Sequence, residues 1–444
     1  MRSLLRSPLT LLLFCFAPVS VCYAQVSDPV VAGQAPIPGA GHHYIGVGTE
    51  TVNPADGSLT FDLPLPLPGG RQLAMPFGIR YLASDQFHPF GNSGSAFTVG
   101  WQVNQTTPLQ VAGWSYLLPV YTAEAYAKWN GTTGPPPNNT HLLCDQTENY
   151  LFTGFDGARR ILGFGSQFPD PSFPDTQSCQ SQPVNGVMQS SIHGWFATTP
   201  QCTPGQGYPP ITVTDPAGTA YQFPTGFGFG LGENGPPTLW GLLAQTITDK
   251  NGNQISLKNN QVSPQGVISY GANAYMDTLG RQVVSWTGLG KNGDTIAIAG
   301  LSGNITLHWG AATVSFPESG TMAYGTSTCT MTPGGTSPAQ IPFLTEIDLP
   351  NGQKYTFTPD ATHGRVGQIN FPGHGYVRYV WGLNLSSQVS YIHTPPWLTS
   401  DNEYCYFESD TPAITDRYVS YNGTTEVLHQ HFTYSTTWGG PNYG

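Results

Sequence analysis

One pattern recurs three times between Leu344 and Trp381: a short run of alternating apolar and polar residues that ends in a turn. Tyr355 and Phe357, for example, alternate with polar residues between turns at Asn351-Gly352 and Pro359-Asp360. Period-2 alternation bounded by Gly, Asn, Asp and Pro indicates half-buried antiparallel strands joined by tight turns. For Asn351-Gly352, the pattern predicts a two-residue hairpin loop in which both central residues have positive φ.

A related phrase recurs through the second half of the chain, in which an Asp is followed within four residues by Gly and then by an apolar run. Internal repeats of this size indicate stacked hairpins that share one continuous core. We therefore predict that structural turns are formed by Asp249, Gly252, Asp277, Gly280, Arg281, Asn351, Gly352, Asp360, Gly364 and Arg365. A further copy begins at Asp215, and Gly252, Gly280 and Gly352 are expected at positive φ.

Two of these copies resemble the tyrosine–aspartate (YD) repeat of RHS proteins, whose core is Tyr-Asp, about two residues, and Gly-Arg. They are Met276 to Arg281 and Thr358 to Arg365, in which Met276 and Pro359 replace the tyrosine. The resemblance covers roughly residues 45 to 435, mainly at the hairpin motifs. It implies a spiral of β-strands, which family members wrap into shells around a C-terminal toxin or display domain, or use at the cell surface.

Composition agrees with an all-β chain of short antiparallel strands. The chain has 54 glycines and 40 prolines, 12% aromatic residues and 9% charged residues, a balance typical of turn-rich sheets. We predict a β-rich N-terminal domain with long loop insertions at residues 45–235 and degenerate hairpin repeats at 236–435. A flexible end is expected at residues 436–444.

The N-terminus has the three parts of a secretory signal peptide. Arg2 and Arg6 precede an apolar run, and a polar close ends at Ala24, so residues 1–24 are predicted to be removed on export and 25–44 to form a disordered leader. No other apolar run reaches the roughly 18 residues of a membrane helix, so no transmembrane segment is expected in the mature chain. We expect an extracellular or cell-surface location, with the periplasm as an alternative.

Charge and cysteine content narrow the range of possible functions further. The chain has 26 acidic and 15 basic residues, a balance that argues against nucleic-acid binding. Five cysteines lie outside residues 1–24, and none forms a Cys-x-x-Cys pair, so zinc and redox motifs are unsupported. One loop disulfide among Cys144, Cys179 and Cys202 is expected, because an exported chain can keep disulfides.

Residues with reactive side chains form no recognisable catalytic set. Glu346, Asp348 and Glu403 attract attention only because carboxylates are scarce, and no Gly-x-Ser-x-Gly elbow precedes a predicted helix. His429 and His431 would share one face of a strand and could bind a metal, but no third ligand is apparent. We therefore predict no catalytic residues, no metal and no cofactor.

Two classes of function stay open. The repeats favour an exported structural β-repeat protein of RHS type without its own catalysis, with other RHS segments, a toxin or a surface glycan as partners. The alternative is a secreted carbohydrate-binding or carbohydrate-active β protein, whose sugar-stacking surface would come from Trp195, Trp240, Trp286, Trp309, Trp381 and Trp397. The closing segment and toxin of full-length RHS proteins are not found before Gly444, so a truncated member is expected.

Overall fold

The structure is a computed structural model that describes residues 49–68, 73, 76–93, 97–103, 110–129, 143–162, 166–169, 188–192, 194–199, 210–224, 238–259, 273–314, 329–331, 339–393 and 404–436. Within these ranges the chain is all-β, apart from one three-residue 3-10 helix at Ala83–Asp85. The predicted all-β antiparallel fold is therefore confirmed. The predicted signal peptide and leader, Glu403 and Trp397 lie outside the described residues.

The described ranges contain twenty-nine strands. They are β1 (Glu50–Val52), β2 (Leu59–Leu65), β3 (Phe77–Leu82), β4 (Phe87–Ser93), β5 (Phe97–Val103), β6 (Gln110–Val111), β7 (Trp114–Tyr116), β8 (Val120–Trp129), β9 (Leu143–Thr153), β10 (Arg159–Ile161), β11 (Ser166–Pro169), β12 (Met188–Ile192), β13 (Trp195–Thr199), β14 (Thr212–Thr214) and β15 (Ala220–Gln222). They continue as β16 (Thr238–Leu243), β17 (Thr246–Thr248), β18 (Gln254–Asn259), β19 (Asn273–Met276), β20 (Gln282–Trp286), β21 (Asp294–Ile298), β22 (Ile305–Val314), β23 (Cys329–Met331), β24 (Ala339–Asp348), β25 (Lys354–Pro359), β26 (Val366–Asn370), β27 (Tyr376–His393), β28 (Tyr404–Ser420) and β29 (Leu428–His431).

One long sheet dominates the described part of the chain. It has sixteen strands that run from β12 to β29 in sequence order, with only β16 and β23 belonging to other sheets. Each strand pairs antiparallel with the next one in the order, from β12 with β13 to β28 with β29. The sheet is thus a ladder of hairpins, and it begins before residue 236, the predicted start of the repeats.

Three smaller sheets complete the described fold. The first has the order β1-β2-β3-β7-β6, and the second has the order β10-β9-β8-β16 with β11 also paired to β9. The third has the order β23-β5-β4, in which β23 and β5 run parallel.

The core lies between the β1-β2-β3-β7-β6 sheet, hereafter the five-stranded sheet, and one face of the long sheet. Alternation places Leu59, Phe61, Leu63 and Leu65 of β2 inward. The Phe61 ring packs 5.5 Å from Phe357 of the long sheet. Fully burying such a side chain stabilises a fold by roughly 1.5–3 kcal/mol. The second sheet packs in the same manner, with Phe152 5.4 Å from Tyr221.

Candidate functional site

Three turns of the long sheet share one hydrogen-bonding pattern. In the turns that begin at Asp215, Asp249 and Asp277, the glycine three residues later donates its N–H to the aspartate carbonyl at 3.0, 3.0 and 2.8 Å. The aspartate N–H donates in turn to the carbonyl four residues later. The glycines have φ values of 86°, 81° and 73°, which a side chain would strain.

The aspartate side chains are part of the same pattern. Oδ1 of each accepts the N–H groups two and four residues later, at 2.9 and 2.7 Å in Asp215, 2.8 and 2.9 Å in Asp249, and 2.9 and 2.9 Å in Asp277. The pKa of Asp249 is lowered first by the hydrogen bond from the Asn253 side chain, and that of Asp277 first by the one from Arg281. These hydrogen bonds favour the ionised carboxylate, which is the form that accepts hydrogen bonds from the turn.

The turn at Asn351-Gly352 differs from the two-residue loop that the sequence predicts. Leu349 donates its N–H to the Gln353 carbonyl at 2.8 Å, and Gly352 donates to the Leu349 carbonyl at 3.0 Å, the same backbone pattern as in the aspartate turns. Gly352 has a φ of 80°, whereas Asn351 is not among the described non-glycine residues with positive φ. Pro350 explains the difference, because its ring fixes φ near −65° and favours a type I turn ahead of the glycine.

The turn from Asp360 to Arg365 is one residue longer. Gly364 donates its N–H to the Asp360 carbonyl at 3.1 Å, and Asp360 donates to the Arg365 carbonyl at 2.7 Å. Oδ2 of Asp360 accepts the N–H groups of Thr362 and His363 at 3.0 and 2.7 Å. The extra residue noted in the sequence thus lengthens the loop while the capping aspartate is retained.

The two arginines of the YD-like copies have different environments. The Arg281 side chain is 73% exposed and pairs with Asp277 at 2.6 Å. Arg365 is buried, donates to the Ala83 carbonyl, and places its guanidinium 4.9 Å from the centre of the Phe87 ring. Burial lowers the pKa of Arg365 to about 10.

The Arg365 turn is where the repeat motif contacts the five-stranded sheet and the 3-10 helix that follows it. Gln86 donates from Nε2 to the Gly364 carbonyl at 2.7 Å, and the Tyr81 hydroxyl accepts the Val366 N–H at 3.3 Å. Burial raises the pKa of Tyr81 to about 12. These contacts join segments nearly three hundred residues apart, so the turn serves as an anchor between two layers of the fold.

His429 and His431 contact a third polar group that the sequence did not reveal. His429 Nε2 lies 2.8 Å and His431 Nδ1 lies 2.9 Å from the same oxygen, Oδ1 of Asp416. Asp416 is the register partner of His431 on the neighbouring strand β28. Hydrogen bonds from His429 and then His431 lower the pKa of Asp416. Only the pairing of β28 with β29 brings these residues together, so spacing along the sequence could not show it.

The scarce carboxylates of β24 lie on one face of the long sheet. Glu346 pairs with Lys354 of β25 at 2.9 Å, and Asp348 lies 2.8 Å from His308 Nε2 of β22. The sequence alone does not single out His308, because its proximity to Asp348 depends on the register of β22 and β24. Its only sequence signal is its place in an alternating run.

The tryptophans predicted to form a sugar-stacking surface differ in burial and location. Trp286 is 1% exposed and Trp381 is 8% exposed, so both belong to the core and neither can stack on a sugar. Trp309 packs partly buried against the core, and the Trp240 side chain lies outside the described residues. Trp195 lines a surface recess of about 400 Å³ together with Phe155 and Tyr221.

Neighbouring side chains already contact the Trp195 ring, which limits what this recess can bind. The Arg160 guanidinium lies 4.0 Å from the centre of the ring, and the Phe152 ring lies 5.4 Å away. Asp156, Asp215 and Asp249 also line the recess. Asp215 and Asp249 hold their own turns, and Asp156 pairs with Arg160 at 2.6 Å.

The predicted disulfide falls mostly outside the described residues. Cys144 lies on β9, opposite Lys128 of β8, whereas Cys179 and Cys202 belong to segments that the structure does not describe. The pairing stays a prediction. Across the described ranges, no helix has the length and apolar character needed to cross a bilayer.

Comparison with known proteins gives weak similarities to solved structures. No family model matches the chain, and no curated protein matches it. The crystal structure of TcdB2-TccC3 is 12% identical over 87% of this chain, with a TM-score of 0.24, and the form without the hypervariable C-terminal region is 12% identical over 81%, with a TM-score of 0.26. This chain spans 16% of the length of each. A porin-like protein from Bacteroides uniformis is 11% identical over 70% of this chain and all of its own, with a TM-score of 0.22. TM-scores this low carry no argument about fold or function.

Proposed function

We propose that the chain is an exported structural β-repeat protein of RHS type, which acts as a shell, scaffold or cell-surface interaction fragment and has no catalysis of its own. Export would use residues 1–24, and the partner would be another RHS segment, a toxin or a surface glycan. The observation that carries the proposal is the repeated aspartate turn, in which one carboxylate oxygen accepts two backbone N–H groups and so holds a hairpin of the long sheet.

The long sheet supports a scaffold role for a second reason. Described side chains of the long sheet share one core cluster with the five-stranded sheet, and the Arg365 turn anchors one sheet to the other. Such an arrangement gives a large, ordered surface, because every interior strand has its backbone groups paired on both sides.

Co-expression with the products of the neighbouring open reading frames tests the proposal. We expect one product to form a stable complex and to resist proteinase K only when this chain is present. The triple variant Asp215→Ala, Asp249→Ala, Asp277→Ala should weaken the protection, because each turn loses its oxygen acceptor. The matched triple Asn variant keeps an acceptor at each turn and should retain most of it. Equal proteolysis with and without this chain would contradict a scaffold role.

The recess beside Trp195 favours the second candidate, carbohydrate binding. Phe155, Trp195 and Tyr221 form an aromatic wall of the kind on which sugars stack. The Arg160 guanidinium on the ring weighs against this function, because it would have to move before a sugar could stack there. Retention on a glycan array that is lost in Trp195→Ala and kept in Trp195→Phe would assign this function.

A further inference from the structure

Three side chains that can bind metals meet on the outer face of the long sheet. They are His308, Glu346 and Asp348, and their ligand atoms all lie within 4.8 Å of one another. Their side chains are 38%, 27% and 44% exposed, so a cation could reach them. We propose that these three residues form a binding site for a divalent transition-metal cation, with Zn²⁺ as the representative ion.

The strand register explains why the three side chains share a face. His308 is the partner of Glu346 across β22 and β24, and Asp348 lies two residues farther along β24, so all three project to the same side. The ladder shifts between His308 and Trp309, which leaves Thr345 without a partner. The Thr345 hydroxyl donates to the His308 carbonyl at 2.9 Å and holds this β-bulge. Bulges of this kind re-aim a neighbouring side chain.

The donor set selects the class of metal. One imidazole nitrogen and two carboxylates match the mixed N and O ligands of zinc sites, which keep a fourth position for water. In a tetrahedral site with bonds of about 2.0–2.2 Å, ligand atoms lie about 3.3–3.6 Å apart. Small side-chain rotations would bring the three groups to that spacing, and the imidazole favours a transition metal over Mg²⁺ or Ca²⁺.

Lys354 shows that the cluster already attracts positive charge. Its ammonium lies 2.9 Å from Oε2 of Glu346. A bound cation would repel the ammonium and compete with it for the same carboxylate. Lys354 is therefore a competitor of the metal, and its removal should strengthen binding.

Isothermal titration of the full, chelator-treated chain with ZnCl₂ tests the site, and Co²⁺ absorption spectra report the coordination. We expect one Zn²⁺ per chain and a tetrahedral Co²⁺ spectrum, with no saturable binding of Mg²⁺. His308→Ala should weaken binding by at least about tenfold, since even outer-shell changes commonly cost that much. Lys354→Met should strengthen it, which a merely structural network of cross-strand pairs would not predict.

His431→Ala is the matched control, because His431 belongs to the separate cluster around Asp416. It should leave Zn²⁺ affinity unchanged, and circular dichroism should show that every variant folds. The proposal is overturned if the wild-type chain gives no saturable heat and no Co²⁺ spectrum. It is also overturned if His308→Ala binds as tightly as wild type, or if His431→Ala removes binding that His308→Ala keeps.

Discussion

Glu50 and Arg417 form a buried ion pair between the first described strand and the penultimate one, 367 residues apart in sequence. Their side chains are 0% and 3% exposed. The Tyr379 hydroxyl donates to Glu50 Oε2 at 2.9 Å, and Arg417 Nη1 donates to Gln430 Oε1 at 2.6 Å, so both charges have further partners.

Glu50→Gln should lower the free energy of unfolding by about 3 kcal/mol, because it leaves the Arg417 charge buried without its counter-charge. Urea titration would measure the change. Glu426→Gln is the control, since the Glu426 pair with Arg378 is 29% and 36% exposed and should cost less than about 1 kcal/mol. Equal losses in the two variants would show that burial does not determine the contribution of the Glu50 pair.

Two turn glycines should respond differently to alanine. Gly252 has a φ of 81° and open space around it, so Gly252→Ala should cost only the backbone strain, about 1 kcal/mol. Gly57 has a φ of 76°, and a Cβ there would lie 2.5 Å from Ala413 Cβ, so Gly57→Ala should cost at least about 2 kcal/mol. Thermal melts would compare them, and an equal loss would mean that the contact with Ala413 relaxes freely.

The two motif arginines provide a second matched pair. Arg365→Ala should destabilise the chain by roughly 3 kcal/mol, because it removes the hydrogen bond to the Ala83 carbonyl and leaves a cavity beside the Phe87 ring. Arg281→Ala should cost less than about 1 kcal/mol, as for other exposed pairs. Denaturant titration of both variants is the measurement. A larger loss of unfolding free energy from Arg281→Ala than from Arg365→Ala would show that the Arg365 turn is not the anchor.

The sequence could predict the turns but not these different roles. Asp277 and Gly280 bond to groups within five residues, so the local pattern contains all the information for the turn. The environment of Arg365 depends on Ala83 and Phe87, residues more than 270 positions away.

The polar clusters depend on residues that are distant in sequence for the same reason. The spacing of His429 and His431 indicates that they share one face of a strand, but the carboxylate that both contact belongs to another strand. The loop at Asn351-Gly352 differs from the two-residue loop that Asn-Gly favours, because Pro350 fixes φ one residue earlier and places Asn351 in a type I turn. Local chemistry thus gives the turns, and strand register determines the polar clusters.

The chain should lose stability at high pH. Burial raises the pKa of Tyr81 to about 12, whereas a tyrosine in the unfolded chain ionises near pH 10. The stabilisation from keeping Tyr81 neutral is therefore full below about pH 10 and is lost as the pH rises to about 12. The loss is on the order of 3 kcal/mol from Tyr81 alone.

Unfolding free energies measured from pH 9 to pH 12 would test this alkaline loss. Burial also raises the pKa of Tyr275, whose hydroxyl donates to the Ala244 carbonyl at 3.2 Å. Tyr275→Phe should therefore show a smaller alkaline loss than the wild-type chain. A pH-independent stability across this range would contradict the burial of these hydroxyl groups.

The sequence order of the long sheet has a consequence for synthesis. Because each strand pairs with the next one along the chain, hairpins can be added one at a time as the ribosome releases them, with low contact order. The five-stranded sheet is made earlier, yet Phe61 packs against Phe357, which is made almost three hundred residues later. At a synthesis rate of about 5–20 residues per second, the apolar face of the five-stranded sheet stays uncovered for roughly 15–60 seconds, until the strand that contains Phe357 is made. During that interval the exposed apolar face makes the nascent chain prone to aggregation, so this is when it most needs a chaperone.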